Sequence, residues 1–306
     1  MLEQYGAELR FNTNLPLSQE EILLFVGWML DKNLSGQTIS SYLAALRQLY
    51  LTKGIDPSAI RTGIVDQIIK GRNRQMLTEN SVGSQQTRLP VTPEVLKLMK
   101  HDLKTSDFNS GSKLLIWAVA SLAFSGAMRI NELLAGNQSK FNPLDTLLSE
   151  DICVNQFKVN GTPVKFIQLK LKQDKTNSST APRILDIFEA PGPICPVRAW
   201  EKYSKCIRSS DKKLPAFRKQ NGGAFTAREL NRYLHDFTKR NFPNTKGKFT
   251  CHSFRIGLAS TLANRGIEDE EIQLAGRWSS RAFESYLRLP RVQRAATAQK
   301  IAELMK

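Results

Sequence analysis

Thr250-Cys251-His252-Ser253-Phe254-Arg255-Ile256-Gly257, and downstream of it Gly276-Arg277-Trp278-Ser279-Ser280-Arg281-Ala282-Phe283-Glu284-Ser285-Tyr286-Leu287-Arg288, are the stretches whose reading decides the fold. His252 and Arg255 are spaced to share one face of a helix. Thr250 is the expected cap of that helix and Gly266 its expected end. A His and an Arg together at a helix start suit a phosphate. Tyr286 falls on a second, short helix expected to begin near Ser279 or Ser280. Taken singly, each feature has an ordinary reading: a capped surface helix with a chance His/Arg pair, and a tyrosine in a core or interface.

Two upstream features extend the pattern. In Phe124-Ser125-Gly126-Ala127-Met128-Arg129-Ile130-Asn131-Glu132-Leu133-Leu134, Arg129 follows a glycine break and opens an apolar run. An unpaired Arg in such a setting is costly to bury, and Glu132, one helical turn on, is placed to orient it. Lys175 lies in the polar turn Gln173–Thr180 between two expected strands. An Arg–Glu pair and a solvated turn lysine are the ordinary alternatives.

The rest of the chain sets the frame. Its 306 residues suffice for two domains, and 41% hydrophobic with 24% charged residues is ordinary for a globular protein. The net charge is +16, which favours a polyanionic partner. Residues 1–89 hold nine Lys/Arg and eight Asp/Glu, so nearly all of the excess falls on the remainder. No apolar run is long enough to span a bilayer, and Met1–Arg10 has no apolar signal core. Cys153, Cys195, Cys206 and Cys251 form no CxxC pair, and with His101, His235 and His252 they build no zinc spacing. The expectation is an intracellular protein with reduced thiols, no metal, no cofactor and no small-molecule substrate.

Periodicity predicts helices from Ser18, from Thr38 as a cap, and through Ile64–Ile69 to the basic cluster Lys70, Arg72 and Arg74. The polar stretch 75–90 has no apolar period, and the chain divides as 1–80, a linker over 81–91, and 92–306. Helices follow near Thr92–His101 and over 112–135. Three strands come next: Ile152–Val159, then Val164–Leu171 after the hairpin signal Asn160-Gly161, then Arg183–Phe188. The remainder reads as helical. The tail 291–306 carries an apolar stripe that includes Val292, Ile301 and Leu304. The fold class is mainly α: a helical N-terminal domain, then an α+β domain with a small three-stranded antiparallel sheet.

In that order, Arg129, Lys175, His252-x-x-Arg255, Trp278 and Tyr286 resemble the active-site set of the tyrosine recombinase (phage integrase) family. The motif-bearing part runs from about 112 to 290. The N-terminal segment is more weakly similar to the family's core-binding domain. The run from Gly276 to Arg288 is most similar to recombinases of eukaryotic mobile elements, the Crypton and DIRS-like groups. Two departures stand out. Many members have His where Trp278 stands, and indole donates a hydrogen bond but cannot act as acid or base. Trp278 and Tyr286 are also one residue closer than is common.

The resemblance implies a metal-free enzyme that cuts and rejoins double-stranded DNA in recombination or integration of a mobile element, through a 3′-phosphotyrosine bond to Tyr286. Arg129, Arg255, His252 and Trp278 would stabilise the phosphorane, with Glu132 supporting Arg129. Lys175 would protonate the leaving 5′-oxygen. Lys70, Arg72, Arg74, Arg88 and Arg277 are the expected DNA contacts, in a clamp whose binding weakens with salt. The tail 291–306 would join protomers into a tetramer. A type IB topoisomerase-like enzyme and a domesticated, non-cutting DNA-binding protein are the competing readings. The expected compartment is the nucleus if the chain is eukaryotic and the cytoplasm if prokaryotic.

Overall fold

The computed structural model describes residues 1–9, 14–82, 87–136, 141–172, 183–207, 212–278 and 280–287. Lys175 and the tail 291–306 lie outside them. The chain divides into two compact units, 1–85 and 86–306.

Among the described residues the N-terminal unit has four α-helices: α1 (Leu2–Leu9), α2 (Gln19–Asp31), α3 (Gly36–Thr52) and α4 (Gly63–Val82). Ser18 caps α2 in a capping box, its hydroxyl accepting from Glu21 N while the Glu21 carboxylate accepts from Ser18 N at 2.6 Å. The cap of α3 is Ser35 rather than Thr38, because Ser35 Oγ accepts from Thr38 N. Ile22, Phe25, Met29, Ile39, Leu43 and Tyr50 bury the helices against one another. The stretch 75–82, read as linker from its polarity, continues α4. Arg72 is not a DNA-facing side chain: it is buried, and its guanidinium donates to Leu34 O and Asn33 Oδ1, tying α4 to the end of α2. Lys70 and Arg74 are exposed on the same helix.

The second unit starts with chain that sequence alone assigned to a linker. Leu89 N donates to Lys248 O, Lys248 N to Thr87 O and Val91 N to Ser253 O, so 87–91 is stitched to the segment carrying His252. There follow α5 (Pro93–Thr105, capped by Thr92), α6 (Ser110–Ser125) and the single turn α7 (Ile130–Leu133). α6 is buried from Leu115 to Phe124 and forms the spine of the unit. The antiparallel sheet has the order β1 (Ile152–Val159), β2 (Thr162–Leu171), β3 (Arg183–Phe188). Asn160 and Gly161 both have positive φ (48° and 80°), the left-handed pair that a type I′ hairpin requires. Ile167, Leu169 and Leu171 point into the core, as the alternation predicts. α8 (Pro196–Ser204), α9 (Ala227–Asn241), α10 (Ser253–Asn264) and α11 (Asp269–Gly276) complete the unit, with a 3-10 segment over Arg281–Tyr286. The mainly α, small-sheet class read from sequence is the class observed.

Candidate active site

The site forms where three backbone turns meet. At the end of α6, Ala127 is left-handed (φ 43°) and its carbonyl accepts from Arg255 Nη1. Two residues on, Arg129 opens α7. Glu132 Oε2 accepts from Arg129 N at 2.9 Å and Glu132 Oε1 from Arg129 Nη1 at 3.3 Å, so one carboxylate fixes both the backbone and the side chain of the arginine.

At the start of α10, Thr250 is not the cap. His252 occupies the cap position, and Ser253 Oγ accepts from Thr250 N. The helix ends at Asn264, with left-handed Gly266 (φ 74°) just beyond. Gly257 lets α10 lie directly on the strap at Val91, since a Cβ there would stand 1.9 Å from Val91 O. That contact seats His252 and Arg255 beside Arg88.

After α11 the chain turns at Arg277, itself left-handed (φ 56°), and folds Trp278 back over Gly276. A Cβ on Gly276 would sit 1.6 Å from the indole, so only glycine fits. Arg277 is not a DNA contact. Its side chain is 7% exposed and its Nη2 donates to Glu132 Oε2 at 2.9 Å. The sequence reading placed it among the DNA contacts; the left-handed turn instead buries the side chain and makes Glu132 the hub between two arginines. Ser280 caps the 3-10 segment with its hydroxyl, and Ser260 Oγ donates to Tyr286 O at 3.0 Å, docking the segment on α10.

These turns bring Arg88, Arg129, His252, Arg255, Trp278 and Tyr286 to one open cavity of about 940 Å³. The His252 and Tyr286 rings are 5.0 Å apart, edge to face, and the Trp278 and Tyr286 rings 5.9 Å apart. The Arg255 guanidinium lies 4.3 Å over the Trp278 ring. Arg255 Nη2 and Trp278 Nε1 are buried and donate to nothing among the described residues. Two unsatisfied donors in one cleft mark a place for an acceptor-rich guest. Among the described residues no carboxylate lines the cavity.

Burial first, then the Arg88, Arg255 and Arg129 charges, push the His252 imidazole down to about 4. Burial first, then Arg129, brings Arg255 to about 10. At neutral pH Arg255 therefore keeps its charge and His252 is a free base. The unfolded chain binds a proton on His252 near 6.5, above the folded value. Its stabilising contribution is complete above about 6.5 and declines as pH falls toward 4. An NMR titration of the unliganded protein is expected to place the His252 midpoint at about 4; a midpoint near 6.5 would contradict this environment.

Asn231, His235 and Lys248 also line the cavity and were not singled out from sequence. Asn231 and His235 are one turn apart on α9, a spacing that could have flagged them. Lys248 arrives only through its bridge to the strap at Arg88, which has no local signal. Among the described residues no group of three or more His, Cys, Asp or Glu is arranged for a metal, and no helix is long and apolar enough to cross a membrane.

No protein-family model matches the sequence, and no curated protein matches it. Among solved structures, the Tn1549 transposon integrase bound to circular intermediate DNA superposes with a TM-score of 0.58 at 16% identity, over 98% of this chain and 91% of that one. The XerH site-specific recombinase bound to palindromic difH substrate, in a post-cleavage complex, gives 0.58 at 16% identity, over 98% of this chain and 76% of that one. Backbone likeness at this level gives the chain the fold of the tyrosine recombinases.

Proposed function

We propose that this protein breaks and rejoins DNA in site-specific recombination or integration, using Tyr286 as the nucleophile. The observation that carries this reading is the gathering of Arg129, His252, Arg255 and Trp278 around the Tyr286 ring in a cavity lined by cations and, among the described residues, by no carboxylate. A phosphodiester is an anion that gains charge as an oxygen attacks it. The two guanidiniums hold the non-bridging oxygens, and Arg255 Nη2 and Trp278 Nε1, buried and unsatisfied beside the cavity, are further donors. Neutral His252 takes the phenol proton as the Tyr286 Oη–P bond forms and the P–O5′ bond breaks. Lys175 gives the departing 5′-oxygen its proton. A different 5′-hydroxyl reverses the steps, so the phosphodiester is remade without ATP.

Arg88 and Lys248 extend the positive lining beyond the attacked phosphate, and the exposed Lys70 and Arg74 of the N-terminal unit add backbone contacts. The protein would act as a tetramer on DNA, joined through 291–306. The test is a duplex nicked just 3′ of the scissile phosphate, incubated in a metal chelator. The departing 5′-oligonucleotide diffuses away and traps the intermediate, giving a covalent protein–DNA band on a denaturing gel. No band on any nicked sequence from the ends of the DNA element that encodes the protein would overturn the reading.

A further inference from the structure

A second cavity, of about 230 Å³, lies between α5, α6 and α8. Its wall at Trp117 is roughly 12 Å up the rise of α6 from the turn that carries Arg129, so it is separate from the tyrosine site. The floor is apolar, made by Leu103, Leu114 and Trp117. The rim is Lys100, Lys104, Lys113, Arg198 and Lys202, and none of these five pairs with a carboxylate among the described residues. The Lys100 ammonium lies 5.1 Å over the Trp117 ring. Burial, then Lys202, Lys104 and Arg198, push that ammonium below its ordinary range. Mutual repulsion of this kind is relieved by an anionic guest with an apolar tip.

Such a guest exists elsewhere on the same unit. α11 opens with Glu268, Asp269, Glu270 and Glu271. Asp269 is engaged by Arg281 at 2.8 Å, whereas Glu268, Glu270 and Glu271 have no ion pair among the described residues. Leu274, on the face shared with Glu270 and Glu271, is 80% exposed. The tail 291–306, with four cations and one carboxylate, is the wrong sign for this rim.

We propose that the cavity between α5, α6 and α8 receives the acidic face of α11, with Leu274 as its apolar anchor, from a second copy of this chain. The two patches differ, so the contact is head-to-tail and leaves the pair one free donor on one copy and one free acceptor on the other, as a ring or chain on DNA needs. The net charge of +16 opposes association of free copies, and DNA phosphates relieve that repulsion. The proposal rests on the reading that copies of this protein gather on DNA.

The test is charge exchange. Lys104→Glu with Lys202→Glu reverses the acceptor, and Glu270→Lys with Glu271→Lys reverses the donor. On DNA carrying two sites, each pair is expected to lower the cooperativity of binding about tenfold, and the two together to restore it. Leu274→Ser is a further variant, expected to weaken cooperativity without altering charge. All of them are expected to give the same covalent adduct on a single nicked site as the unaltered chain, since none of these residues lines the tyrosine cavity. Unchanged cooperativity with the adduct intact would overturn the docking proposal alone. Loss of single-site affinity without rescue by the exchange would also overturn it and assign the rim to DNA. Absence of the adduct in the unaltered chain would instead strike the recombinase reading.

Discussion

A Tyr286→Phe protein is expected to bind DNA as the unaltered chain does and to leave no covalent adduct on a nicked duplex. The substitution removes one oxygen and little else. The ring keeps its contacts with His252 and Trp278, at 5.0 and 5.9 Å between centroids. The segment stays docked, because Ser260 holds the backbone carbonyl of residue 286 rather than the phenol. The guanidiniums and the indole N–H still meet the phosphate, so affinity is spared. What is lost is the atom that bonds to phosphorus, and removal of a nucleophile costs about 10⁴-fold or more in rate. A denaturing gel of the trapped complex reads this directly. An adduct that persists in the variant would place the nucleophile elsewhere and dissolve the roles given to the groups around Tyr286.

The second large effect falls on a residue that touches no substrate. Glu132→Ala is expected to destabilise the catalytic unit by about 3–5 kcal/mol, because it takes the carboxylate away from a buried charge. The charge is Arg277, whose side chain is 7% exposed against 5% for Glu132. The same carboxylate holds Arg129 through its backbone N–H and its Nη1. A midpoint lower by roughly 6–20 °C in thermal unfolding is the corresponding signal for a unit of this size. Glu132→Gln keeps the shape and the acceptor oxygen but not the charge, and is expected to fall between the two. Cleavage should decline as Arg129 loses its two contacts with Glu132, even under conditions where the fold survives. An alanine variant as stable as the parent would mean that Arg277 escapes to solvent and that Glu132 is not the hub.

Much of the site was legible in the chain because its parts announce themselves locally. His252 and Arg255 share a helix face by spacing alone, Arg129 and Glu132 are one turn apart, and the hairpin at Asn160-Gly161 follows from the left-handed turn those residues favour. Arg277 and Arg72 were misread for a common reason. Both are basic residues beside expected contact residues, and charge in sequence does not disclose the side of the backbone on which a side chain lies. A left-handed turn swings Arg277 inward onto Glu132, and Arg72 folds back onto the carbonyl of Leu34. Lys248 was passed over for the converse reason, since nothing near it hints at a bridge to Arg88.

By itself the sequence determined the elements and the chemical inventory: helical periodicity, strand alternation, turn residues and the ordered set of cations with one tyrosine. These are properties of neighbours along the chain, where steric preference and the period of apolar residues act within a few positions. Only the tertiary structure decided which cations share a cavity, which are consumed in holding the scaffold, and that the presumed linker at 87–91 is a strap against α10. Those outcomes depend on contacts between distant segments, such as Val91 seated over Gly257 and the Trp278 ring over Gly276, where the absence of a single Cβ sets how closely the elements approach.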